Sequence, residues 1–249
     1  MYFDKYPITL SRISPDERFR ISTRTDCDDL CDSVRQIGLI NPPILLPSDT
    51  DFVLISGFRR IEACRKIGMT DIPARIVNLA DIEALKLAIS DNVFQRALNL
   101  IEISRSLHKL SDFINNDNEL SNIAASLGLP STLSLIRKLK NLCQMPQVLQ
   151  EGILSEAVAL PTAIELQKID PHDALAIAEL FKQLTPSLNK QRELLTLLQE
   201  ISIREDIPIR SLLNDVNDLL TDSEADRNQM LKKNPPVSET TAFSRIEPG

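Results

Sequence analysis

The sequence predicts an α+β protein, with a small α/β domain over residues 1–98 followed by an all-helical remainder. Three observations predict it. Short apolar runs alternate with helical periods up to about residue 80. Beyond Ala80, Leu, Ile and Ala dominate and the apolar spacing is that of amphipathic helices. Glycine is scarce, with only 6 in 249 residues, and Trp is absent.

Residues 7–13 read as a first strand, and the polar, arginine-rich stretch 14–25 as a loop. A helix from about Asp26 to Gln36 carries Leu30, Val34 and Ile37 inward and stops at Gly38. Ile44–Leu46, Phe52–Ile55 and Pro73–Val77 are three further strands. Between the last two, Ile61, Cys64 and Ile67 share one helical face. The helical region then begins with a segment marked by Ile82, Leu85 and Ile89, and a second from Leu100 to about Ile114. Residues 119–142 read as a helix pair. Helices at 160–168, 171–184, 187–203 and 209–220 follow, with Pro171 and Pro186 placed at helix starts. The domain expectation is therefore 1–98, 99–184, C-terminal helices over 185–220 and a disordered polar tail over 221–249.

Composition narrows the function. The formal net charge is −7, and most of the acidic excess lies after residue 161, so any nucleic-acid binding must be local rather than through bulk charge. The sequence has no apolar run long enough to cross a bilayer, and its first residues lack the basic start and apolar core of a signal peptide. The expectation is a cytoplasmic protein without a membrane partner. Cys27, Cys31, Cys64 and Cys143 form no Cys-x-x-Cys motif, and the two histidines lie far apart, which favours reduced, partly buried thiols over a zinc site.

The most specific local signal is Ile55-Ser-Gly-Phe-Arg-Arg-Ile61. A strand leaves through Gly57 into a helix whose first turn carries Arg59 and Arg60. Unpaired N–H groups, the positive end of the helix dipole and two guanidiniums together suit a phosphate. In the 119–142 pair, Leu120, Ile123 and Ala124 precede Gly128, and Ser131 is a candidate N-cap for a second helix with Leu135, Ile136, Leu139 and Leu142 apolar. This spacing suits a helix-turn-helix. Ser131, Thr132, Ser134, Arg137, Lys138 and Lys140 lie on or beside its polar side, where they could meet phosphates or base edges. An ordinary helical hairpin with a solvated basic face has the same pattern.

Taken together, these motifs resemble the ParB/Spo0J family of DNA-partition proteins. Gly38-Leu-Ile-Asn-Pro-Pro-Ile44 is similar to the family's Gly-Leu-x-Gln-Pro-Ile segment. Gly57-Phe-Arg-Arg60, with Arg65 and Gly68 behind it, is similar to the Gly-Glu-Arg-Arg box, and Asp91-Asn-Val-Phe-Gln-Arg96 to the Glu-Asn-Leu-Gln-Arg box. Gln150–Ser155 is similar to a segment that follows the family's helix-turn-helix. The resemblance implies a ParB/sulfiredoxin-like N-terminal domain that binds CTP and Mg²⁺. It implies that Gly38, Asn41, Gly57, Arg59, Arg60 and Asn92 contact the nucleotide and that Asp91 helps hold the metal. It further implies double-stranded DNA as partner, a ParA-type ATPase, homodimerisation and a nucleoid- or plasmid-associated location. Phe58 stands where the family has Glu, and Asp91 where it has Glu, so hydrolysis is expected to be weak or absent. The family's early Asn-Pro-x-Gln-Pro-Arg box is only echoed by Ser14–Arg20. The alternative is a transcription regulator or a plasmid or phage accessory factor with this fold and no nucleotide cycle. The related sulfiredoxin chemistry is not expected, because Phe58 and Arg59 stand where the enzyme's reactive Cys and its neighbour would be.

Overall fold

The computed structural model describes residues 5–214 and divides into two compact units, the boundary along the chain falling between Pro171 and His172. The first begins with a four-stranded sheet of strands β1 (Lys5–Thr9), β2 (Ile44–Ser48), β3 (Asp51–Ser56) and β4 (Asp71–Ile76), ordered β1-β4-β2-β3. β4 runs antiparallel to β1 and parallel to β2, while β2 and β3 form an antiparallel hairpin. β3 is an edge strand yet is buried from Phe52 to Ser56. Its free edge is covered by the chain at 13–14, where Ser14 N–H donates to the Phe52 carbonyl.

The expected first strand is shorter than the sequence suggests. After Thr9 the chain makes a 3-10 turn over Leu10–Arg12. Leu10 and Ile13 are both buried, a spacing of three that a strand cannot satisfy on one face. Helices α1 (Asp28–Ile37) and α2 (Phe58–Lys66) cover one face of the sheet, with Val34, Ile61 and Cys64 against Leu45, Leu54, Ile72 and Ala74. Helix α3 (Asp81–Gln95) packs near β3 and buries Leu85, Ala88 and Ile89.

Residues 14–25 have no regular structure, as expected, but they are not a solvated loop. Phe19 and Ile21 are almost fully buried, and the segment lies as a strap along α4 (Leu100–Phe113). Arg105 of α4 donates to the Ile21 and Ser22 carbonyls, and Lys109 to that of Arg18.

The rest of the first unit is helical: α5 (Asp117–Ser126), α6 (Leu133–Leu139), a 3-10 turn at Leu142–Gln144, α7 (Gln147–Leu154) and α8 (Leu160–Leu166). Asn116 caps α5 by accepting from the Asn118 and Glu119 N–H groups. Two details of the helix pair differ from expectation. Thr132, not Ser131, holds the N-cap position of α6, and its side chain makes no capping bond. Leu135 is exposed, because this short helix turns only Ile136 and Leu139 inward. Ala124 is fully buried at the crossing, as its size requires.

The second unit contains α9 (Pro171–Leu184) and α10 (Leu188–Glu205), and residues 209–214 are again helical. Pro171 occupies the first position of α9. On α10, Leu195 is buried and Leu194, Leu198 and Ile201 are half-buried. The expected tail at 221–249 and the end of the helix expected at 209–220 lie outside the described residues. Among the described residues no helix is long and apolar enough to cross a membrane.

Candidate functional site

The chain leaves β3 at Ser56 and enters α2 through Gly57, whose φ is 103°. That left-handed conformation favours glycine. A Cβ at Gly57 would lie 3.0 Å from Pro43 Cβ and 3.1 Å from Arg60 Nε. No side chain caps α2, so its amino end faces the space beyond the sheet. This space is a cleft of about 460 Å³. Arg24, Arg59, Arg60, Arg75 and Arg96 line it against one carboxylate, Asp91. Arg59 and Arg96 are paired outside this lining, with Asp29 and Glu102, which leaves Arg24, Arg60 and Arg75 as a cationic surplus over Asp91, a charge balance that suits an anion.

The two arginines of the sequence motif are both in the cleft and both held. Arg60 donates from Nη1 to the Asn41 carbonyl at 2.7 Å, and Nη2 reaches Ser56 Oγ at 3.4 Å. Its Nη2 lies 3.9 Å from Asp91 Oδ2. Burial pulls the Arg60 guanidinium below its usual pKa; Asp91 opposes the shift and Arg75 adds to it. It remains a cation at any working pH. Arg59 donates from Nε to the Asp26 carbonyl at 2.5 Å and from Nη2 to Asp29 Oδ1 at 2.8 Å. These bonds fix both side chains at the cleft's edge before any ligand arrives.

Asp91 and Asn92 enter from the last turns of α3. Asp91 Oδ2 accepts from Ser56 Oγ and from Gln95 Nε2. Asn92 lines the cleft, but its amide donates to the Ala88 carbonyl at 2.8 Å along its own helix. Asn41 lines the cleft and takes part through its backbone carbonyl. Gly38 lies elsewhere: it ends α1 at φ 76° and is not among the residues that line the cleft. A single carboxylate beside a phosphate site is the donor set Mg²⁺ commonly uses, since that ion keeps several waters and takes further ligands from phosphate. Asp91 is the carboxylate of the cleft that could hold such an ion.

The sequence reading missed Ser22, Arg24, Ser56, Arg75, Gln95 and Arg96 as lining residues. Ser56, Gln95 and Arg96 sit inside the quoted motifs and carried a local signal. Arg75 carried none. Phe58 lines the cleft, packs against the sheet core and lies under the Arg20 guanidinium at 5.4 Å.

Behind the cleft, Arg96 binds the buried Glu102 through both terminal nitrogens. Glu102 also accepts from the Thr23 and Asn99 N–H groups and forms a capping box with Asn99 at the start of α4. Burial alone would raise its pKa, but the bonds from Arg96, Thr23 and Asn99 outweigh that and hold it at about 2.

In the helix pair, Thr132, Ser134, Arg137 and Lys138 are exposed on or beside α6, while Ser131 and Lys140 are half-buried. The Ser131 carbonyl accepts from Ser121 Oγ, which fixes the turn between the helices. Arg137 is paired with Asp117 of α5.

An α/β domain with an arginine-lined cleft at the amino end of a helix is a phosphate-binding type of site. The ParB N-terminal domain model matches residues 7–93 of this chain. The chain is 26% identical over 197 residues to the chromosome-partitioning protein ParB of Caulobacter vibrioides, covering 74% of this chain and 64% of that one. It is 32% identical over 145 residues to a nucleoid occlusion protein of Geobacillus kaustophilus, covering 57% and 50%. The alignments thus span about half to two thirds of these relatives' length. Among solved structures, C-terminally truncated Caulobacter crescentus ParB complexed with CTP-gamma-S matches at 23% identity and a TM-score of 0.34, over 72% of this chain and 98% of that one.

Proposed function

We propose that this chain is a ParB-type partition protein that binds double-stranded DNA and takes CTP with Mg²⁺ in the cleft at the start of α2. The observation that carries the reading is the charge of that cleft, a cationic surplus over Asp91, within the stretch that the ParB N-terminal domain model matches. Arg59 and Arg60 would take phosphoryl oxygens, with the amino end of α2 adding its N–H groups. The metal would supply charge neutralisation of the phosphates, and Asp91 would hold it. DNA would be met by the exposed side of α6 through Thr132, Ser134, Arg137 and Lys138, with Ser131 and Lys140 at its borders. A ParA-type ATPase partner, homodimerisation and a nucleoid- or plasmid-associated location complete the proposal.

Hydrolysis is expected to be weak or absent. Phe58 is an apolar ring engaged with the sheet core and Arg20, so it cannot act as a base or hold a metal. The same observation favours a second reading, a DNA-binding regulator with no nucleotide cycle. Titrating the full chain with labelled CTP and Mg²⁺, beside Arg59→Ala and Arg60→Ala, tests the first reading. Saturable binding lost in both variants supports it. Equal binding by parent and variants places the nucleotide elsewhere, and no binding by the parent leaves the regulator.

A further inference from the structure

The strand register places Arg75 of β4 beside Ile44 of β2, and Ile44 beside Ser56 of β3, so the three form one row across the sheet. All three line the cleft. Ile72 and Ala74 of β4 pack into the core under α2, so strand alternation sends Arg75 to the opposite face. There its Nε is buried, and no hydrogen-bond acceptor among the described residues reaches it. Buried polar atoms are almost always paired, and an orphaned guanidinium nitrogen is an unusual expense. Arg75 also stands close enough to Arg60 to help pull the Arg60 guanidinium below its usual pKa. The carboxylate of the cleft is not shared evenly: Asp91 is engaged by Ser56, Gln95 and Arg60.

We infer that Arg75 is a phosphoryl-binding residue of this cleft, held in advance with its guanidinium unpaired so that an oxyanion of the ligand completes it. The inference deepens the nucleotide reading and rests on it for the identity of the ligand, though not for its charge. The row from Ser56 to Arg75 spans two strand spacings, roughly 10 Å. Arg60 stands at the β3 end of that row and Arg75 at the β4 end, so the pair suits an anion with more than one phosphoryl group rather than a lone phosphate. A bound polyanion would give the unpaired guanidinium an anionic partner and neutralise the repulsion between the two guanidiniums.

A merely structural arginine and a ligand-binding one behave in opposite ways when replaced by an apolar residue of similar length. Arg75→Met removes the unpaired buried donor, so the ligand-free protein should melt at or above the parent's temperature. The same variant should bind CTP about tenfold or more weakly, the loss expected for a charged hydrogen bond. Inorganic tripolyphosphate, which carries the charge without the nucleoside, should show the same loss, and Arg75→Lys should recover part of it. Titrations of the full chain with both probes, beside thermal melts, decide the matter. Parent-like binding by Arg75→Met, or a melt well below the parent's, overturns the inference. A parent that binds tripolyphosphate but not CTP, with the loss still present in Arg75→Met, upholds Arg75 and overturns the nucleotide. A parent that binds neither overturns both.

Discussion

Arg96 holds the carboxylate of Glu102, a residue with no exposed surface, at 2.7 Å through Nη1 and 2.5 Å through Nη2. The pair joins the end of α3 to the start of α4, and through Thr23 it anchors the strap at 22–24 beside the cleft. A buried bidentate pair of this kind is costly to break from one side, because the surviving charge is left without its partner. Glu102→Gln should therefore destabilise the protein by about 3 kcal/mol, read as a drop in denaturant midpoint with unchanged slope.

The same pair sets an acid limit. Glu102 is held at about 2 against an ordinary value of 4.5. A lowered folded-state pKa means that the stabilisation is complete above the ordinary value and is lost as pH falls from there toward about 2. The loss is on the order of 3 kcal/mol over that window. Unfolding measured from neutral pH down to pH 2 should show this slope in the parent, and Glu102→Gln should remove most of it.

Gly57 is a position where one methyl group should separate fold from function. Gly57→Ala must hold φ near 103° and must push Pro43 or the Arg60 side chain aside. The strain is on the order of 1–2 kcal/mol. Because the displaced group includes Arg60, CTP affinity should fall by more than the stability loss explains, as a titration beside a melting curve would reveal.

On α6 the expected contributions to DNA binding are unequal. Lys138 is exposed, whereas Arg137 is paired with Asp117. Lys138→Ala should weaken binding evenly across DNA sequences and reduce the slope of log affinity against log salt by about one. Asp117→Asn releases Arg137 and should strengthen binding at low salt. A salt titration on one duplex distinguishes both variants from the parent.

Much of the site was legible because its signals are local. The apolar run of β3, the break at Gly57 and the two arginines after it are contiguous, and the structure keeps them in that order. The helix boundaries at Leu100–Phe113 and Pro171–Leu184 follow from apolar spacing and, for the second, from Pro171 at its start. What escaped depends on distant pairing. Arg75 joins the cleft only through the register of β4 with β2, and Arg24 only because the strap is pinned by α4. The strap itself read as a polar loop, since Phe19 and Ile21 are isolated among charged residues. Helix α7 was marked only by family likeness, because Gly152 reads as a breaker. In the fold it is a fitted residue: a Cβ there would stand 2.8 Å from Val158.

The central claim is that a cationic cleft built around Arg60 binds CTP. The most direct measurement is calorimetric titration of the full chain with CTP and Mg²⁺, with ATP and GTP as controls and Arg60→Ala as the matched variant. The account predicts saturable binding of CTP in preference to the purine nucleotides, and its loss in Arg60→Ala without a matching loss of fold. Absence of CTP binding by a folded parent, or binding that survives Arg60→Ala unchanged, contradicts it.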